Sequence, residues 1–80
     1  MTQKELNIII GKNIKKYRKI CNKKFTQEQL AEAIDVSVSL ISNLESEKIN
    51  MGISISNLYK ISVVLNVPIN KFFEDNNYEK

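Results

Sequence analysis

The sequence predicts an all-α fold, a compact five-helix bundle, and three observations carry that expectation. Apolar residues recur at spacings of three and four along most of the chain, the period of one helix face. Only two glycines and one proline occur in 80 residues, so little interrupts helical backbone. No segment alternates apolar and polar residues for long enough to suggest a strand. The length suits a single domain spanning residues 1–80, with a core from about 6 to 73 and a polar tail over 74–80. Apolar content of 42% is enough for a small core and argues against disorder outside the ends.

Residues from about Leu6 to Cys21 read as the first helix, with Leu6, Ile10, Ile14 and Tyr17 on one face. Asn22-Lys23-Lys24 is a polar connection. Phe25 precedes Thr26, where it can staple the next helix start, and Thr26 with Gln29 forms a capping-box pattern. The second helix presents Leu30, Ala31 and Ile34. A turn follows at Asp35-Val36, and Ser37 caps a third helix with Leu40, Ile41 and Leu44 inward. Ala31 lies ten residues before Ile41 and thirteen before Leu44. That spacing lets the two helices cross steeply, with a small side chain at the closest approach. It is the pattern of a helix-turn-helix, which offers the outer face of its second helix to a DNA major groove. Glu47 to Ile53 reads as a loop, with Gly52 expected at positive φ. Ser54 caps a fourth helix whose core stripe is Ile55, Leu58, Ile61 and Leu65. Pro68 suits the first turn of a short fifth helix, Ile69 to Phe73, before a tail that frays.

The net charge is only +3, but it is unevenly placed. Residues 1–24 carry eight basic side chains against the single acid Glu5, and residues 25–80 carry four basic against eight acidic. A basic end beside an acidic remainder can orient a molecule on a polyanion. Cys21 is the only cysteine and there is no histidine. An intramolecular disulfide and a Cys/His zinc site are therefore excluded, and no metal or cofactor is expected. Cys21 reads as an inert, half-buried filler. The apolar run near the N-terminus is three residues long, Ile8 to Ile10, so neither a signal peptide nor a membrane span is expected, and a cytoplasmic location is.

The chain resembles the Xre/Cro family of helix-turn-helix regulators, the group that includes the phage repressors. The resemblance runs over roughly residues 10–73, through IGKNIKKYR, FTQEQLAEAIDVS, LISNLE and SISNLYKISVVLNVPINKFF. Two features depart from the family pattern. Asp35 stands where a turn glycine is usual, and the loops at Asn22–Lys24 and Glu47–Ile53 are about two residues longer than the common form.

With Ile41 and Leu44 inward, the outer face of the third helix is left to Val38, Ser39, Ser42 and Asn43, and Ser37 lies at its tip. The resemblance implies that Val38, Ser39, Ser42 and Asn43 touch base edges. Asn43 can make two hydrogen bonds to adenine, the serines can donate or accept, and Val38 can pack on a thymine methyl. No arginine is present there to grip guanine, which favours an A·T-containing half-site. The resemblance also implies that Gln27 bonds a phosphate, aided by the helix start, and braces the recognition helix, with further phosphate contacts at Ser37, Ser46 and Lys48. It implies an ion pair between Arg18 and Glu45, and a dimer contact through the fifth helix built from Leu65, Val67, Ile69, Phe72 and Phe73. Such a dimer would set two recognition helices about one DNA turn, roughly 34 Å, apart.

The function expected is a sequence-specific, homodimeric DNA-binding regulator, a repressor or controller acting on an inverted repeat. The alternative is a protein-interaction module on the same fold, favoured by the small neutral face and modest net charge. An enzyme is not expected, because histidine, a paired-acid site and a phosphate-cradling glycine loop are all missing from the sequence.

Overall fold

A computed structural model of the chain describes residues 1–21 and 24–75. The Asn22-Lys23 part of the first connection and the last five tail residues lie outside the described residues. Among the described residues there are four α-helices and one 3₁₀ turn, with no strand: α1 (Gln3–Ile20), α2 (Gln27–Ala33), α3 (Val38–Glu45), α4 (Ile55–Leu65) and the 3₁₀ turn Ile69–Phe73. The class is all-α, but the fifth element is not an α-helix. It has only five residues after Pro68, whose extended ψ of 138° keeps Pro68 itself outside the turn. That is room for a tight turn and not for a series of α-helical bonds.

α1 begins three residues before Leu6, because Thr2 and Glu5 form a capping box at its start. The Thr2 hydroxyl accepts from the Glu5 N–H at 3.1 Å, and the Glu5 carboxylate accepts from the Thr2 N–H at 2.8 Å. Hydrogen bonding by Thr2, its backbone first and its side chain second, holds the exposed Glu5 carboxyl below the usual glutamate value. The Thr26–Gln29 capping box is formed at α2, and Ser37 and Ser54 cap α3 and α4 by accepting from Leu40 and Asn57. Each cap satisfies backbone donors that the first helical turn leaves without partners.

Positive φ occurs at Lys24 (51°), Asp35 (61°) and Asn66 (57°), and at no glycine. Gly52 is therefore not the residue that needs left-handed backbone. Its loop closes through Ile49 and Met51 N–H bonds and through the Asn7 amide, which donates to the Asn50 side chain at 2.8 Å. Asp35 and Asn66 end α2 and α4 in the left-handed conformation, with Val36 and Val67 N–H groups reaching back to the Ala31 and Ser62 carbonyls. Asp and Asn are the non-glycine residues that take this C-terminal turn most readily.

The core holds Ile10, Ile14, Leu30, Ala31, Ile34, Ile41, Leu58, Ile61, Leu65 and Phe72. Gly11 lies where α1 crosses α3, and a Cβ there would collide with the Leu44 carbonyl oxygen. That crossing requires glycine because the obstacle is backbone and cannot rotate away. Ile55 does not belong to the core stripe: it is 72% exposed, while Leu58, Ile61 and Leu65 are buried. The helical period turns Ile55 about a quarter-turn from the centre of that stripe, toward Tyr59 and Val63. The 3₁₀ turn is fixed to α1 by buried Asn13, whose amide donates to the Phe72 and Glu74 carbonyls at 2.8 Å each. The Phe72 ring meets Tyr17 edge-on at 5.5 Å between centroids. No helix among the described residues is long and apolar enough to cross a membrane.

Candidate nucleic-acid interface

The third helix is oriented by what it buries. Ile41 and Leu44 turn inward with Glu45, which leaves Val38, Ser39 and Ser42 exposed and Asn43 half-buried at the edge of the same face. The four side chains therefore share one outward surface. They can donate, accept or pack, and none carries a charge. Ser37 is exposed at the tip, its hydroxyl oxygen already accepting from the Leu40 N–H at 3.2 Å. Ser46 closes the other end half-buried and accepts from the Lys48 N–H at 3.3 Å, while the Lys48 side chain is exposed.

Behind this face lies a buried polar network. Arg18 of α1 donates from Nε and Nη2 to the two carboxylate oxygens of Glu45, at 2.8 and 2.9 Å, and from Nη1 to the Phe25 carbonyl at 2.9 Å. The side chains are only 8% and 3% exposed, so the pair is sealed from water. Gln27, at the start of α2, adds a third donor to Glu45, with Nε2 2.9 Å from Oε1. Two planar groups meeting bidentately fix orientation as well as charge. Among the described residues no buried side-chain polar atom lacks a partner, which is the condition under which a buried ion pair can be held. The network ties α1, the α2 start and the end of α3 into one rigid unit. Gln27, assigned above to a phosphate, is thus half-buried and hydrogen-bonded inward.

The structure gathers further groups that the sequence reading did not single out for this face. A shallow hollow beside the α3 start is lined by Arg18, Lys19, Lys24, Gln27, Glu28 and Val38. Lys19 is placed there by the α1 period, one residue after the buried Arg18. Lys24 is placed by its left-handed backbone, closed by its N–H to the Cys21 carbonyl at 3.1 Å. Neither placement has a sequence signal beyond the Lys-rich composition. Lys12 lies farther back on α1 and meets Glu47 at 3.9 Å. Cys21 is half-buried and its thiol donates to the Arg18 carbonyl at 3.4 Å.

The residues expected to form a dimer contact are not all at the surface. Leu65 and Phe72 are buried within the protomer, so they serve its core and not a partner. Val67 and Ile69 are half-buried, and Phe73 is 39% exposed. The larger exposed apolar row is on α4, where Ile55, Tyr59 and Val63 are 72%, 62% and 59% exposed. Its signal, an apolar residue every fourth position beside the core stripe, was present in the sequence. Ile55 belongs to this row and not to the core stripe expected of it. Among the described residues no three of Cys, Asp or Glu are grouped to hold a metal ion.

A family model described as "Helix-turn-helix" matches residues 14–72, which takes in the C-terminal part of α1 and everything from α2 to Phe72. No curated protein sequence matches the chain. Among solved structures, the fold is similar to that of a hypothetical transcription factor, NHTF, from Neisseria. That comparison gives a TM-score of 0.78 and 24% identity over 95% of this chain and 81% of the other. By its matched residues and its architecture, the chain belongs to the Xre/lambda repressor-like helix-turn-helix family of DNA-binding regulators.

Proposed function

We propose that this protein is a sequence-specific transcriptional regulator, a homodimeric repressor or controller, cytoplasmic, whose α3 enters the major groove of an inverted-repeat operator. The observation that carries this reading is the outward row Val38, Ser39, Ser42 and Asn43 on a helix locked from behind by Arg18, Glu45 and Gln27. A reading face held rigid on regular structure loses little entropy on binding. Asn43 supplies the bidentate amide for adenine, and Val38 the apolar contact for a thymine methyl, so an A·T-containing half-site follows. Ser37, Ser46 and Lys48 flank the row as phosphate contacts. Gln27 acts chiefly by bracing Glu45.

Eight residues of helix read few base pairs, and pairing two protomers extends the site. The partner surface is the exposed α4 row of Ile55, Tyr59 and Val63 with Phe73 and the half-buried Val67 and Ile69. Lys60 is the only charged residue of α4, so two copies of this face can meet with little like-charge repulsion.

Binding to random duplex DNA over a range of salt concentrations tests the reading. The expected result is a logarithmic affinity that falls linearly with log salt, by about 0.9 per phosphate contacted. A flat salt response with no duplex bound would contradict it and favour a protein-interaction module.

A further inference from the structure

We infer that Lys19 and Lys24 form a two-lysine clamp on one backbone phosphate of the bound duplex, seated in the hollow beside the α3 start. The inference rests on the DNA-binding reading above and adds a contact outside the recognition helix. Val38 is both the first residue of the outward row and one wall of the hollow. The hollow is therefore contiguous with the face that would meet the bases, within reach of the backbone of the same strand. Of the polar groups lining it, Arg18 directs each of its three guanidinium nitrogens to Glu45 or the Phe25 carbonyl, and the Gln27 amide nitrogen is drawn inward to Glu45. Lys19 and Lys24 are exposed and make no ion pair with another described residue. They come from different elements, the last turn of α1 and the connection to α2, and converge on one concavity.

The Lys24 backbone is held at φ 51°, a conformation that disfavours side chains with a Cβ and would suit glycine. Ammonium groups on flexible stems act as point charges toward a phosphate and carry no base information. Glu28, the one acid lining the hollow, opposes the anion and limits the strength of the clamp.

Salt titrations of duplex binding by the full chain test this, with unfolding followed in parallel. Lys19→Gln combined with Lys24→Gln is expected to lower the slope of log affinity against log salt by about one contact, roughly 0.9. The loss should fall equally on every duplex. Replacing both lysines by arginine is expected to retain the slope. Lys24→Gly should leave the thermal midpoint equal or higher while weakening binding, a combination that a merely structural lysine would not give. Glu28→Gln should tighten binding. An unchanged slope in the double glutamine variant, with a normal slope in the wild type, would overturn the clamp alone. A wild type with no slope would overturn the clamp together with the DNA-binding reading.

Discussion

The two sides of α1 share one apolar core but are fastened differently. Toward α2 and α3 that core is supplemented by directional polar contacts: a bidentate ion pair, a bracing glutamine and a glycine that lets backbone approach backbone. The surface presented there consists of small, mostly uncharged side chains with lysines at one margin. Toward α4 and the 3₁₀ turn the contact is apolar, with Leu65 and Phe72 buried and the Asn13 amide holding two carbonyls. The surface on that side is an exposed row of Ile55, Tyr59 and Val63. Under the function proposed above, the difference separates two tasks in one small domain. A face that reads hydrogen-bonding edges needs orientation, which directional bonds supply. A face that meets its own copy needs apolar area, which shape and burial supply.

The largest expected effect lies in the polar half. Arg18→Ala leaves the Glu45 carboxylate buried with Gln27 as its one remaining side-chain partner among the described residues, and should cost about 3–5 kcal/mol in urea unfolding. Arg18→Met combined with Glu45→Leu should recover much of that loss, because an apolar pair leaves no uncompensated charge. Additive single and double variants would show that the two residues do not act together, and would remove the polar side of the contrast. In the apolar half, Tyr59→Asp with Val63→Asp should change unfolding free energy by no more than about 0.5 kcal/mol per site, as for exposed positions. Sedimentation should nevertheless show the loss of self-association. An unaltered dimer would place the partner surface elsewhere, and severe unfolding would mean that the row belongs to the core.

The same contrast explains what could be read from the chain in advance. Helices α2 and α3 are written locally: Thr26 with Gln29 and Ser37 fix the helix starts within a few residues, and the Ala31–Ile41–Leu44 spacing fixes their crossing within one short segment. The Thr2–Glu5 box that starts α1 carries the same local signal, four residues ahead of where the apolar periodicity begins. The α4 end was less legible, because apolar residues occupy several sides of that helix. Periodicity alone does not say which of Ile55, Leu58 and Val63 faces inward until the neighbours are placed. Phe72 likewise resembles an interface residue in sequence and joins the core where Tyr17 and Asn13 close over the 3₁₀ turn, whereas Leu65 keeps the place in the α4 core stripe that its spacing predicts. Gly11, Asn13 and Lys24 act through partners distant in sequence or through backbone conformation, and composition gives no sign of either.

The central claim is that the outward row of α3 reads sequence, and Asn43 tests it most directly. It is the only residue of that row with a bidentate amide. Operators selected from a random DNA pool, then mutated singly at each position, form the panel for wild type and Asn43→Ala. The account predicts a loss of about 1–3 kcal/mol confined to one base position per half-site, with selectivity relaxed there and binding to the other variants preserved in rank. A loss spread evenly over every sequence, or no loss at any, would contradict it.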